Sequence, residues 1–169
     1  MATWMEMTKD APDLAALAEE RLTATGLLLL ATLRRDGSPR ISPIEPLMAG
    51  GRLQLIDERL AVGSMWRSTK ALDLRRDPRC ALHTATADKE VSAGDVKLEA
   101  RALEVTDAGE MQRISDQIFE ETGWRHEVGA FHVFLFDLLG ASSVRVRDDV
   151  MLVEIWEPGE GVRVVEKRG

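Results

Sequence analysis

The residues with the clearest capacity for chemistry are Ser68, Thr69 and Lys70, which form a single run in the sequence. Ser68 is a suitable N-cap for a helix from Thr69 to about Arg76, which Asp77-Pro78 is expected to end because Pro78 disfavours helix before it. The amide groups at a helix start, together with a lysine ammonium, attract anions. The run therefore predicts an anion site, and a capping turn without a ligand is the alternative.

Positive charge is concentrated in the same part of the chain. Residues 34–79 hold ten Arg and Lys against six Asp and Glu, a net charge of +4, whereas the whole chain has a net charge of −7. The acidic average excludes the overall basic surface of a duplex-binding protein, so no nucleic-acid partner is expected. If Arg40, Arg67 and Lys70 converge, they complete the anion site. For the arginines that follow in the sequence, the alternative is that they lie on a solvated helix face; these are Arg75, Arg76 and Arg79.

Other reactive residue types form no motif. The three histidines, His83, His126 and His132, are scattered, and Cys80 is the single cysteine, so neither a metal site nor an intrachain disulfide is predicted. The sequence has no Tyr and shows no arrangement typical of a nucleophile, and no catalytic residue is identified. Any redox chemistry is thus expected to depend on a bound cofactor.

The 169 residues, 44% of them hydrophobic, fit one globular domain over 1–169, in which residues 1–10 are expected to be flexible. The longest apolar run, Leu27–Ala31, is far shorter than the roughly 20 residues of a membrane-spanning helix. The N-terminus lacks the cationic start and apolar centre of a secretory signal. These observations predict no membrane association and a cytoplasmic location.

Hydrophobic periodicity predicts the elements around these residues. A helix is expected over residues 11–22, with Gly26 as its stop, and a second is expected from 107 to 121. Asp36-Gly37 between two apolar runs is a strong hairpin signal. Seven or eight strands with short turns and two or three helices indicate a mainly β protein, a closed antiparallel barrel with helical insertions. Leu27–Ala31, apolar on both faces, is expected to be covered on both sides.

The order of these elements resembles the pyridoxamine 5′-phosphate oxidase-like, FMN-binding split-barrel superfamily over about residues 12–167. The run from Ser68-Thr69-Lys70 to Asp77-Pro78, followed by an apolar strand, is similar to the superfamily's most specific segment. The resemblance implies a split β-barrel in which Ser68, Thr69 and Lys70 hold the flavin phosphate. It also implies a homodimer with the cofactor at the subunit interface.

Two further segments carry the resemblance. Arg40, Ile41, Ser42 and Pro43 are similar to the strand that lies along the isoalloxazine ring, but the family's lysine five residues after the arginine is replaced by Glu45. The phosphate contacts must therefore differ from those of the true oxidases.

The closing segment, Glu154-Ile155-Trp156 with Arg163, resembles the end of the oxidases. It implies that Trp156 stacks near the flavin of a partner subunit. Val165 stands where the family has the histidine that contacts the vitamin substrate. Together with Glu45, this departure indicates that the chain is not a true pyridoxamine phosphate oxidase.

The resemblance implies an oxidoreductase that transfers a hydride between a bound cofactor and a small organic substrate. FMN and coenzyme F-420 both remain open as the cofactor. A basic surface near Arg34, Arg35, Arg67 and Arg76 would suit the anionic tail of coenzyme F-420. The alternatives are a haem or flavin carrier without turnover, with haem the less favoured ligand, and a structural barrel whose dimer interface is its only function.

Overall fold

A computed structural model describes residues 1–123 and 125–168. Four helices and eleven strands occupy the described residues, and they follow in chain order as α1 (Trp4–Asp10), α2 (Pro12–Thr25), β1 (Leu28–Leu33), β2 (Pro39–Ile44), β3 (Met48–Ala49), β4 (Arg52–Leu53), β5 (Leu55–Ile56), β6 (Arg59–Met65), α3 (Thr69–Arg76), β7 (Arg79–Thr84), β8 (Asp95–Glu104), α4 (Ala108–Thr122), β9 (Phe131–Arg147), β10 (Val150–Glu157) and β11 (Gly161–Arg168).

Six strands form an antiparallel barrel in the order β2-β1-β7-β8-β9-β6. The barrel closes between the end of β2 and β6, where Pro46 pairs with Val62 and the Leu47 amide donates to the Ala61 carbonyl over 2.8 Å. The second half of β9 remains paired with β8 and also pairs with β10, which in turn pairs with β11. The expected mainly β split barrel is confirmed.

The structure has more strands than the expected seven or eight, in part because of the region between β2 and α3. One strand was expected over residues 53–56, but these residues are divided between β4 and β5, and β6 was not predicted at all. Asp57 and Glu58, both with positive φ, form the turn between β5 and β6. This turn lacks the glycine that usually marks such a conformation, so the sequence carries no strong signal for it.

Residues 4–10 form a helix, in contrast to the flexible segment that was expected over residues 1–10. Thr3 and Glu6 form a reciprocal capping box at the start of α1. Trp4 is 3% exposed and Met7 is fully buried, and both belong to the main hydrophobic core. Burial of two large apolar side chains explains why this segment is helical, and it raises the number of helices to four.

The burial of strand β1 also differs from the prediction. Leu28 and Leu30 are buried inside the barrel, but Leu29, on the other face, is 40% exposed. Leu29 and Ala31 lie with Ile41 of β2 on the floor of an apolar groove of about 890 Å³. The strand is central in the sheet, as predicted, but only one of its faces is covered within the chain.

Candidate functional site

The start of α3 has the geometry that the sequence predicts. Ser68 is the N-cap, and its Oγ accepts a hydrogen bond from the Ala71 amide over 3.4 Å. The Ser64 hydroxyl on β6 lies 2.7 Å from the Ser68 hydroxyl and holds the cap against the barrel. Because first-turn amides lack partners within a helix, those of Thr69 and Lys70 are placed to donate to an anion.

Lys70 connects this helix start to β2. Its ammonium donates to the Pro43 carbonyl over 2.7 Å. An ammonium carries three protons, so this contact leaves Lys70 able to donate two more hydrogen bonds. The lysine is thereby fixed against β2, next to the start of α3.

Arg40 is anchored by a buried carboxylate. Its Nε lies 2.7 Å from Asp73, whose side chain is 5% exposed. Thr32 and Arg76 also donate to Asp73, each over 3.0 Å. Burial raises the pKa of Asp73, but the hydrogen bonds from Arg40, Arg76 and Thr32 outweigh it, and the pKa lies below its usual value. Because Asp73 binds Nε, the terminal nitrogens of Arg40 can still meet a ligand.

A basic cavity of about 530 Å³ lies beside the start of α3. It brings together Arg40 and Thr69, two of the predicted site residues, and it adds the arginines of the β1–β2 turn. Its charged lining residues are Arg34, Arg35, Asp36, Arg40, Asp73 and Arg76. The excess of guanidinium groups over carboxylates makes this cavity a suitable environment for an anionic group.

Residues 41–43 divide between the two faces of β2. The Ser42 side chain is half-buried, whereas Ile41 is 71% exposed and lies in the apolar groove. Because successive side chains of a strand point to opposite faces, Ile41 points away from the face on which Arg40 meets Asp73. Pro43 contributes its carbonyl, which Lys70 binds.

Arg67 lies in the turn before the cap with φ +55°, in the left-handed region. Its amide donates to Nε2 of His132 over 3.1 Å, and Nδ1 of His132 lies 2.7 Å from Glu104. Since Nε2 accepts, the proton is assigned to Nδ1. The Trp66 ring stacks on the imidazole at 4.6 Å. His132, which is 1% exposed, therefore fixes the turn before Ser68.

Neither Trp156 nor Arg163 reaches the start of α3 within one chain. They lie on β10 and β11, at the opposite end of the sheet order from β2. Trp156 is fully buried in the chain's own core, which differs from the expectation that it stacks on a partner's flavin. Arg163 is exposed on the edge strand.

The remaining candidates have structural roles. Both ring nitrogens of His132 are engaged, and His83 Nδ1 lies 2.6 Å from the Thr84 carbonyl. Burial raises the pKa of the Cys80 thiol to about 12, which makes it unreactive at neutral pH. Across residues 1–123 and 125–168, no group of three or more metal-ligating side chains is found.

A third cavity, of about 750 Å³, lies where the barrel closes. The segment after β2 contributes Glu45, Leu47 and the neighbouring Met48, and β6 contributes Ser64 and Met65. The helix α4 and the start of β9 complete its wall. Sequence reasoning did not identify this cavity, because it depends on the closure between β2 and β6.

Comparisons with known proteins agree on one fold. The structure of the pyridoxamine 5′-phosphate oxidase-related, FMN-binding protein of Nostoc punctiforme PCC 73102 is similar with a TM-score of 0.67 and 14% identity, over 94% of this chain and 98% of that chain. A protein of the pyridoxinephosphate oxidase family from Clostridium acetobutylicum, related to general stress protein 26, has a TM-score of 0.62 and 12% identity, over 86% and 96%.

PhzG from Burkholderia lata 383, solved with tetrahydrophenazine-1-carboxylic acid, has a TM-score of 0.63 and 10% identity, over 100% of this chain and 94% of that chain. No curated protein matches the sequence. Among the described residues, no helix is long and apolar enough to cross a membrane.

A family model described as pyridoxamine 5′-phosphate oxidase matches residues 14–145. This match covers most of the chain and agrees with the split barrel, so the chain belongs to the pyridoxamine 5′-phosphate oxidase family.

Proposed function

We propose that this protein is an oxidoreductase that binds FMN and acts on a small organic substrate. The observation that carries the proposal is that Lys70 at the start of α3 binds the Pro43 carbonyl of β2, while Arg40 of β2 and Thr69 line one basic cavity. The family match and the fold of the FMN-binding protein from Nostoc punctiforme support flavin as the ligand.

The donors present fit the phosphate of FMN. The amides of Thr69 and Lys70, the Thr69 hydroxyl and the two anchored cations would hold it, without the lysine that the true oxidases place where Glu45 stands. A phosphate dianion binds well to such a helix start when cations flank it. A bound flavin supplies hydride chemistry, and the protein's own residues bind and orient it.

Titration with FMN tests the proposal. We expect saturable quenching of flavin fluorescence with one FMN per chain, and a flavin absorbance spectrum that stays with the protein on gel filtration. Binding should weaken as salt is raised, because the phosphate contacts are ionic. A protein that neither retains nor binds FMN would contradict the proposal.

Coenzyme F-420 is the second candidate cofactor, and the basic cavity favours it. Arg34, Arg35 and Arg76 extend the positive surface beyond the start of α3, further than one phosphate group requires. An anionic oligoglutamate tail would contact these arginines. Competition between FMN and coenzyme F-420 distinguishes the two. If the protein prefers coenzyme F-420 and the Arg34→Gln/Arg35→Gln variant loses this preference, the deazaflavin is the cofactor.

We further propose that the protein is a homodimer with the cofactor at its interface. The apolar groove supports the dimer, because Leu29, Ile41 and Leu139 expose large apolar surfaces on one face of the sheet. Such a contiguous patch is typical of a protein interface.

Ile41→Asp tests the dimer. Placing a carboxylate in the groove should shift the protein from dimer to monomer in sedimentation velocity, because a buried, unpaired charge destabilises an interface. Leu103→Asp is the matched control, since Leu103 is 42% exposed and does not line the groove. Identical sedimentation of the wild type and Ile41→Asp would argue against this interface.

A further inference from the structure

The 750 Å³ cavity has the size of a small-molecule site. Its wall is largely apolar, with Leu47 and Met48 from the segment after β2, Met65 from the end of β6, Ile118 from α4 and Phe131 from β9. Side chains from both edges of the barrel closure and from α4 therefore surround one space. This arrangement suits a molecule with a substantial apolar body.

Ser64 connects the cavity to the start of α3. Ser64 lines it, and the Ser64 hydroxyl lies 2.7 Å from the hydroxyl of the cap residue Ser68. A cofactor whose phosphate is bound by Thr69 and Lys70 would extend away from the helix start, and this cavity is the adjoining space. The reacting end of the cofactor and its substrate are therefore expected to meet here.

The charge of the cavity is opposite to that of the basic cavity. Among the described lining residues, Glu45 carries the formal negative charge and none is Lys or Arg. The other polar groups are hydroxyls and the imidazole of His126, whose ring lies 5.2 Å from that of Phe131. An anionic substrate group would meet the Glu45 carboxylate without a compensating cation from these residues, which is unfavourable.

We propose that this cavity is the substrate chamber and that Glu45 selects the substrate by charge. The preferred substrate is an apolar, ring-containing molecule with an ammonium or other cationic nitrogen, and phosphorylated or carboxylated analogues are rejected. The proposal rests on the proposed function, because it places the chamber beside the FMN site. Glu45 binds the cationic nitrogen through a charge-assisted hydrogen bond.

Two probes of equal shape test the selection. Binding of 2-naphthylmethylamine and of 2-naphthoic acid is measured by calorimetry on the FMN-loaded protein. We expect the amine to bind at least about tenfold more tightly than the acid, the lower end of the effect of a charge-assisted hydrogen bond. Glu45→Gln should abolish this preference, and Glu45→Lys should reverse it.

Glu20→Lys is the control variant, because it makes the same charge change on the exposed face of α2, and it should keep the preference for the amine. Loading with FMN is measured first, so failure of the proposed function shows as failure to load. With FMN bound, equal affinities, tighter binding of the acid, binding of neither probe, or an unchanged preference in Glu45→Lys would each overturn the chamber assignment.

Discussion

Lys70→Ala is expected to weaken FMN binding by about 10- to 150-fold, which corresponds to about 1.5–3 kcal/mol for one charge-assisted hydrogen bond. The effect should be large because the ammonium is already held above β2 by its 2.7 Å bond to the Pro43 carbonyl. Little side-chain entropy is then lost when the phosphate binds. The variant removes both this anchored cation and its contact with β2.

The affinity is measured by quenching of FMN fluorescence at fixed ionic strength. Lys89→Ala is the matched control, because the Lys89 side chain is 90% exposed in a loop and pairs with Glu90. The control should bind FMN as the wild type does. If Lys70→Ala and Lys89→Ala retain the same affinity as the wild type, the phosphate does not bind at the start of α3.

Asp73→Ala is expected to lower the free energy of unfolding by about 2–3 kcal/mol. The change leaves the guanidinium groups of Arg40 and Arg76 and the hydroxyl of Thr32 without their shared acceptor. Removing one partner of a fully buried ion pair costs about 3–5 kcal/mol. The value here is smaller because the two arginine side chains are 25% and 37% exposed, and solvent screens them.

The loss of stability in Asp73→Ala should depend on pH in a defined direction. The pKa of Asp73 is lowered in the folded protein, so its stabilising contribution is complete above the unfolded value of about 3.9. The contribution disappears as the pH falls through the folded pKa. Urea unfolding should therefore separate wild type from Asp73→Ala at pH 7, and the separation should shrink below about pH 4.

Asp77→Ala is the control for Asp73→Ala. Asp77 follows the same helix, but its partner Arg79 has a 65% exposed side chain. Its removal should change the free energy of unfolding by less than half as much. Equal effects of the two variants would show that burial of Asp73 does not determine its contribution.

Local sequence signals predicted much of the scaffold. Asp36-Gly37 predicted the β1–β2 hairpin, and Gly37 indeed has φ +82°, a conformation that glycine adopts without strain. Ser68 and Pro78 predicted the bounds of α3, which ends at Arg76. These signals act over a few residues, so one sequence is enough to recognise them.

The parts that the sequence did not predict depend on distant pairings. Asp73 meets Arg40 across 33 residues, and His132 meets the Arg67 amide across 65. The sequence near each of these residues does not indicate which distant residue it contacts. His132 lies within the apolar run of residues 131–136, all of which are buried in β9, and this run was the one available signal. Burial of Trp156 likewise depends on how β9 carries β10 past the barrel.

The closure of the barrel has a consequence for how molecules exchange with the chamber. β2 and β6 meet through the Pro46–Val62 pairing and the Leu47 amide, and proline has no amide proton to add to this contact. A junction with so few hydrogen bonds opens at a lower free energy than a full strand pair. The two edges of this junction also form the chamber wall. Release of a bound molecule is therefore coupled to a local opening that hydrogen exchange at Leu47 would report.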